Sequence, residues 1–381
     1  MSDVKKTKTK NVVWEEICGP IMTREEVLHR LKDYPEAYKE FRKLSKEFQE
    51  EFVAYSMGVK GVKMTYDPFF KTIFDPDKYK RRLEDFLEAC LGEPVKIEDV
   101  VKNESERLTD DGGLLIEDLV VRLKSGELVN VEMQRVGYYF PGERCACYSS
   151  DLIMRQYSQL KAQMKGQKQR FPYGMIKKVF TIVLMYKSTE EFQRFPEDHL
   201  HYAKQTFQTG LNVDLMQEYL LIPLDIFLKN NDNIISKLDA WLYFIASDKM
   251  EDIKRVCEAY PEFKELYQDV FKFRYQPKEL VSMFSEALRM LDKATEQYMI
   301  DDLMRKNEEL KEKNEELKEK NEELKEKNEE LKEKNEELKG KNEELKEEKA
   351  QRKALEAKVR EQEEMLRKLQ MERAGLETPQ L

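Results

Sequence analysis

Residues 114–134 of the chain read LLIEDLVVRLKSGELVNVEMQ and predict a β-hairpin. Residues 114–122 and 128–134 are predicted to be its two strands, and Lys-Ser-Gly at 124–126 supplies the turn. Odd-numbered strand positions from 119 to 133 are apolar, whereas the even-numbered positions include Asp118, Glu132 and Gln134. Because successive side chains of a strand point to opposite faces, one face of the hairpin is predicted to be core and the other polar.

The length of the turn decides whether the two carboxylates share a face. We expect a turn of odd length with Gly126 in the left-handed conformation, so that Gln134 lies opposite Asp118 and Glu132 lies one diagonal step away. A two-residue turn would place Asp118 and Glu132 on opposite faces. Glu117 falls on the apolar face without an evident reason and is an alternative ligand.

A shared face with two carboxylates has two interpretations. It is either a solvated outer face of the sheet or a site for a divalent metal. The hard oxygens of Asp118, Glu132 and the main-chain carbonyl of Met133 suit Mg²⁺, with Mn²⁺ as the alternative. Such a metal polarises a phosphodiester and activates a water for attack. Gln134 would then hold that water or the phosphate.

The order helix, strand, strand with Asp, strand with Glu-x-Gln and helix resembles the PD-(D/E)XK nuclease superfamily. More closely, the chain is similar to the bacterial recombination-promoting nucleases and PD-(D/E)XK nuclease family transposases. The resemblance covers about residues 35–250 and is carried by TYDPFFKTIF at 65–74, LEDFLEACLG at 83–92, the stretch 110–134 and YFPGERCACYSSDLIMRQ at 139–156.

This resemblance implies a fold and an activity. The fold class is α/β, a restriction-endonuclease-like mixed sheet flanked by helices, with a helical N-terminal extension and a C-terminal long helix or coiled coil. The activity is metal-dependent DNA cleavage linked to a mobile element or to recombination, with Asp118, Glu132 and Gln134 as catalytic residues. Asp67 and Lys71 match the first-helix motif, although one turn apart they are equally interpreted as an ion pair.

The helix that follows the hairpin is implied to orient phosphate and metal-bound water through Arg144, Tyr148, Arg155 and Gln156. Beyond it, residues 161–178 contain no acidic residue and include Lys161, Lys165, Lys168 and Arg170. The formal net charge of the whole chain is −9, but local potential decides phosphate attraction. This basic stretch is either a DNA contact or a solubilising loop.

The composition of the chain restricts its expected cellular location and the metal or disulfide sites that it can form. The five cysteines are odd in number and lack paired metal-ligand spacing, which argues against disulfides and against a Cys/His zinc site. No apolar run approaches the ~20 residues of a membrane helix, and residues 1–10 lack the hydrophobic core of an export signal. We therefore expect a bacterial cytoplasmic protein, associated with the nucleoid and not with a membrane.

Five regions are expected along the chain. They are a disordered basic tail at 1–15, a helical extension at 16–62, the nuclease-like core at 63–230, a helical region at 231–300 and a charged heptad-repeat helix at 301–381. Within them we expect helices at 23–31, opened by a Thr23–Glu26 capping box, and at 35–57, 68–74, 78–90 and 142–164. Further strands are expected at 95–101, 178–186 and 218–227.

The C-terminal region repeats Lys-Asn-Glu-Glu-Leu-Lys-Glu six times over 306–347, with Gly340 ending the fifth copy. Leucine recurs every seven residues at a heptad d position and asparagine occupies every a position. The asparagines weaken the seam, and lysines on both flanks repel in a homodimer. Repeated Glu-to-Lys pairs four residues apart stabilise each helix by itself. A weak coiled coil between two copies and a solitary charged helix both remain open.

Two other functions compete with cleavage. A catalytically inactive DNA-binding module of the same fold would be favoured by loss of Asp118 or Glu132, and both are present. A coiled-coil interaction protein would explain the repeats but would leave the polar face of the hairpin without a purpose.

Overall fold

The structure is a computed structural model that describes residues 14–101, 119–135, 141–165, 170–231 and 233–373. The chain divides into two units, one ending at Asp302 and one beginning at Leu303. Most of the predicted 1–15 tail, the predicted strand residues 114–118 and Lys168 lie outside the described residues.

The first unit contains one mixed sheet of six strands in the part of the chain that is described. Their order in the sheet is β1-β2-β3-β4-β6-β5, with β3, β4 and β6 parallel and the other neighbours antiparallel. This confirms the predicted α/β fold class. The strands are β1 (Ile97–Val100), β2 (Leu119–Leu123), β3 (Leu128–Gln134), β4 (Val179–Met185), β5 (His201–Lys204) and β6 (Gln217–Pro223).

Helices flank the sheet and form most of the remaining described structure. They are α1 (Trp14–Cys18), α2 (Arg24–Lys32), α3 (Pro35–Phe41), α4 (Lys46–Met57), α5 (Asp67–Ile73), α6 (Pro76–Leu91), α7 (Pro141–Gln163), α8 (Glu190–Gln193), α9 (Leu224–Asn230), α10 (Lys237–Ala246), α11 (Met250–Ala259), α12 (Phe263–Phe271) and α13 (Pro277–Arg373).

Both faces of the central strands are buried, as expected for parallel strands. On one face, Val129 and Val131 of β3 join the main hydrophobic core. On the other, Leu128 of β3 packs with Leu152 of α7. The polar side chains of β3 therefore lie beneath α7, and the interpretation of this face as a solvated outer surface is wrong.

The N-terminal helices follow their capping residues. Thr23 caps α2 through the predicted capping box with Glu26. The continuous helix predicted over 35–57 is wrong, because Ser45 starts a new helix there: its hydroxyl accepts a hydrogen bond from the Phe48 N–H at 3.3 Å. Gly58 ends α4 at φ +82°, a conformation that glycine adopts without steric cost.

Two elements beyond β4 differ from the sequence-based expectation. The strand predicted over 218–227 ends at Pro223, and α9 begins at the next residue. Strand β5 was not predicted, because it is a short edge strand whose residues are mostly exposed. Short polar edge strands carry little of the alternating pattern by which strands are recognised.

The second unit continues α13 with an exposed surface throughout. The repeat leucines, from Leu310 to Leu345, are between 49% and 59% exposed. No helix in the described part of the chain combines the length and apolarity needed to cross a membrane.

Candidate active site

The β2–β3 hairpin turns through three residues. The Leu123 N–H donates to the Glu127 carbonyl at 2.8 Å, and Gly126 has φ +95°. The odd turn length and left-handed glycine were predicted, but the register differs by two residues: Leu119 lies opposite Val131. The predicted register is therefore wrong over the described part of β2, while the predicted pairing of Asp118 with Gln134 involves a residue outside the described part of the chain. Asp118 and Glu117 themselves lie outside the described residues.

Glu132 is a buried carboxylate held on one side only. The residue is 5% exposed, and its Oε1 accepts a hydrogen bond from Arg144 Nη2 at 3.0 Å. Within the described residues, Oε2 is buried and meets no hydrogen-bond donor. Burial raises the pKa of Glu132 above its ordinary value, and Arg144 and Tyr148 oppose only part of that rise. A second cation at Oε2 would compensate this buried charge.

Helix α7 supplies the groups that contact Glu132. Arg144 and Tyr148 lie one turn apart, and Arg144 Nη2 also donates to Tyr148 Oη at 2.7 Å. Between them, Cys145 packs with Val183 of β4 in a small apolar cluster. That packing fixes the start of α7 over the sheet, so two of the four predicted α7 residues meet at the carboxylate.

The other two predicted α7 residues lie further along the helix and have other contacts. Arg155 pairs with Asp151 at 2.5 Å. The Gln156 side-chain amide donates to the Lys177 carbonyl at 3.0 Å and accepts from the Lys177 N–H at 2.9 Å. Gln156 therefore fixes α7 to the start of β4. Eleven residues separate Arg155 from Arg144, which is about 17 Å of helix.

Gln134 lies at the carboxyl end of β3, where the parallel strands end together. The residue is 5% exposed, and its main-chain carbonyl accepts a hydrogen bond from the Tyr186 N–H at 2.8 Å. Gln134 pairs with Met185 in the sheet, which pairs in turn with Pro223. Ligands of open α/β sheets bind at this end of the strands.

The start of α5 lies beside the same strand end. The Arg135 guanidinium, directly after β3, is 4.0 Å from the ring centroid of Tyr66, the residue before Asp67. Asp67 pairs with Lys71 at 3.0 Å, while its Oδ1 is buried without a hydrogen-bond partner in the described structure. Burial raises the pKa of Asp67, and Lys71 opposes the rise. The ion pair predicted as one alternative is present.

The basic stretch lies beyond the far end of α7. Lys161, Lys165 and Arg170 are exposed, and Lys161 Nζ is 5.7 Å from the ring centroid of Tyr157. An aromatic cluster that the sequence did not indicate adjoins these cations: Tyr157, Phe171 and Tyr173 pack together, with centroid distances of 4.7 Å from Phe171 to each tyrosine.

No group of three metal-ligating His, Cys, Asp or Glu side chains occurs among the described residues. The donors on hand are Glu132 Oε2 and Asp67 Oδ1, both buried oxygens without hydrogen-bond partners in the described part of the chain. Carboxylate oxygens are the ligands that Mg²⁺ prefers, so Glu132 fits a divalent metal, with Asp118 as the further carboxylate that the sequence indicates.

The first unit is thus an α/β domain with a buried glutamate and a Glu-x-Gln strand end in its mixed sheet. The family model for the PD-(D/E)XK nuclease family transposase matches residues 64–296. The chain belongs to this family, which confirms the resemblance seen in the sequence. No curated protein and no solved structure matches the chain significantly.

Proposed function

We propose that the chain is a Mg²⁺-dependent DNA endonuclease, with Mn²⁺ as an alternative metal, that hydrolyses phosphodiester bonds for a mobile element or for recombination. The observation that carries the proposal is the buried Glu132 carboxylate, which has a neutralising partner at Oε1 and none at Oε2 within the described residues. In a nuclease-family domain, a divalent metal is the cation that such an oxygen would take.

Asp118, Glu132 and the Met133 carbonyl would hold the metal. Asp118 directly precedes Leu119 in the sequence, and Leu119 lies opposite Val131, the residue before Glu132. When bound, the metal polarises the phosphodiester and lowers the pKa of a coordinated water. Gln134 would orient that water or the phosphate from the strand end.

Arg144 and Tyr148 have a positioning role in this proposal. Their contacts hold the Glu132 side chain in one orientation and oppose the rise in its pKa that burial causes. The planar donor array of the Arg144 guanidinium would also suit a phosphate oxygen of the substrate. Asp67 and Lys71 would support the site from α5.

The basic residues beyond α7 would extend the DNA contact. From Arg144 to Lys161 the helix rises about 25 Å, which matches roughly seven base pairs at about 3.4 Å each. Lys161, Lys165, Lys168 and Arg170 would bind backbone phosphates there, and Arg155 and Gln156 would hold the helix between the two ends.

Action on DNA implies a cytoplasmic, nucleoid-associated protein, and the repeat helix would add weak self-association.

Nicking of supercoiled plasmid tests this proposal. Wild type should cut with Mg²⁺ or Mn²⁺ and not with EDTA. Asp118→Ala and Glu132→Gln should each lose more than about 100-fold in rate, beyond the loss typical of residues that support metal ligands. Glu218→Gln is the matched control, because Glu218 is also a buried carboxylate but pairs with Lys178. Unchanged nicking by Glu132→Gln would overturn the proposal, and binding without any cleavage would favour the inactive module.

A further inference from the structure

Arg135 follows the Glu-x-Gln strand end and is enclosed by aromatic rings. Its guanidinium carbon lies 4.0 Å from the ring centroid of Tyr66 and 4.9 Å from that of Tyr186. Tyr186 directly follows β4, and Tyr66 precedes α5. The side chain is therefore fixed between three elements at the carboxyl ends of the parallel strands.

The positive charge of Arg135 has no anionic partner in the part of the chain that the structure describes. Its Nε and Nη1 atoms are shielded from solvent and meet no hydrogen-bond acceptor there. Arg135 is half-buried, and charged atoms shielded from solvent are normally paired, so the missing partner at Nε and Nη1 indicates a ligand.

Two other arginines that stack on tyrosines differ from Arg135 in this respect. Arg82 lies 3.9 Å from the ring centroid of Tyr79 and pairs with Asp269. Arg255 lies 5.1 Å from the ring centroid of Tyr243 and pairs with Asp252. Stacking on a tyrosine therefore accompanies a carboxylate partner in both of these cases, and Arg255 provides a matched control for Arg135.

A second cation adjoins Arg135 across Tyr186. Lys63 Nζ donates to Tyr186 Oη at 3.0 Å and lies 5.2 Å from the ring centroid. Its carboxylate neighbour, Asp248, is 3.8 Å away and is closer to Lys60, at 2.8 Å. Burial opposes the charge of Lys63, but Tyr186 and Asp248 raise its pKa above the ordinary value. Two positive charges thus share one tyrosine.

We propose that Arg135 and Lys63 form a second phosphate-binding subsite, which holds a backbone phosphate neighbouring the one that is cleaved. The proposal rests on the proposed function. Arg135 lies three residues beyond Glu132, about 10 Å along an extended chain, so it reaches a flanking phosphate and not the reacting one. A guanidinium binds two phosphate oxygens at once, while an ammonium adds a point charge.

Equilibrium binding of an uncleaved DNA duplex in EDTA, at several salt concentrations, tests the subsite in the full-length protein. Arg135→Gln should weaken binding. It should also make the slope of the log binding constant against log salt concentration, here called the salt slope, less steep by about 0.9, the value for a single neutralised phosphate. Lys63→Gln should act in the same direction. Arg255→Gln, the matched stacked arginine with a carboxylate partner, should leave the slope unchanged. Equal slopes for wild type and Arg135→Gln would overturn the proposal.

Single methylphosphonate substitutions in the same duplex locate the contact. Wild type should lose affinity when the methylphosphonate stands at one position that flanks the cleaved phosphate. Arg135→Gln should show no additional loss of affinity from a methylphosphonate at that position. If Arg135 only packs between the rings, the variant will melt at a lower temperature and keep the full methylphosphonate pattern. The proposal would also be overturned if inorganic phosphate stabilises wild type while Arg135→Gln keeps the wild-type methylphosphonate pattern. None of these measurements requires DNA cleavage. Failure of the subsite proposal can therefore be distinguished from failure of the proposed nuclease function.

Discussion

Near the end of β3 one carboxylate, Glu132, is buried under α7, where it contacts Arg144 and Tyr148. Removing a carboxylate from water costs free energy unless charges and donors replace the water. Arg144 takes the place of water at Oε1 of Glu132. The other oxygen, Oε2, has no hydrogen-bond partner among the described residues. The pKa of Glu132 is raised as a result, so the ionised side chain destabilises the metal-free fold.

The raised pKa of Glu132 predicts a pH dependence of stability. A carboxyl whose pKa is higher in the folded state stabilises the fold while protonated, and that contribution is lost as pH rises through the folded-state pKa. In EDTA, the free energy of unfolding of wild type should fall relative to that of Glu132→Gln as pH rises above about 4.5, the ordinary pKa of glutamate. The two proteins should converge below that pH. Thermal melts across pH measure this, and parallel curves would contradict it.

At the residue scale the sequence indicates Glu132 and Gln134, because strand alternation puts both on one face. It gives no signal for Arg135, Lys63 and Tyr186. Their juxtaposition depends on β3, β4 and the segment before α5 meeting at one edge, and contacts between residues so distant in sequence leave no periodic pattern.

At the element scale, the hairpin shows what alternation can and cannot specify. A pattern of period two fixes which face a side chain occupies, but a shift of two residues leaves the pattern unchanged. The three-residue turn, closed by the Leu123–Glu127 hydrogen bond, sets the actual register. Helix boundaries at Ser45 and Leu224 depend in the same way on local capping and on Pro223, which a hydrophobic stripe does not encode.

The far end of α7 predicts a general, sequence-independent DNA contact. Changing Lys161, Lys165, Lys168 and Arg170 to glutamine together should weaken binding to all duplexes, and the salt slope should fall by about 0.9 for each phosphate that is no longer neutralised. The matched control removes the same charge from the repeat helix, by changing Lys311, Lys318, Lys325 and Lys332 to glutamine. If both proteins retain the wild-type slope, this stretch does not bind phosphate.

At the scale of the whole molecule, the repeat helix is a second unit with its own surface. Its d-position leucines are about half exposed, from 49% to 59%. One Glu-to-Lys pair of the repeats, Glu337 with Lys341, is formed at 2.5 Å within the helix. Such pairs stabilise a helix without a partner, whereas asparagine at each a position weakens a coiled-coil seam.

Self-association through this helix should be weak and should strengthen with salt. Salt screens the repulsion between the lysines that flank the seam, so sedimentation of the full-length chain should show more dimer at high ionic strength. Truncation after Ile300 should remove that association and preserve cleavage. One flank of the seam, the heptad e position, is changed from lysine to glutamate at residues 311, 318, 325, 332, 339 and 346. These glutamates would attract the lysines at the opposite flank, the g position, so the salt dependence should reverse. A tight wild-type dimer at low salt would contradict this prediction.

Titration of Mg²⁺ into the full-length protein, followed by thermal unfolding, tests the central claim most directly. A metal bound only by the folded state stabilises it by about 2.7 kcal/mol at one hundred times its dissociation constant. Wild type and Glu218→Gln should both gain this stability, whereas Glu132→Gln should gain little, because its amide cannot neutralise the metal. Equal Mg²⁺ stabilisation of wild type and Glu132→Gln would contradict the assignment of Glu132 as a metal ligand.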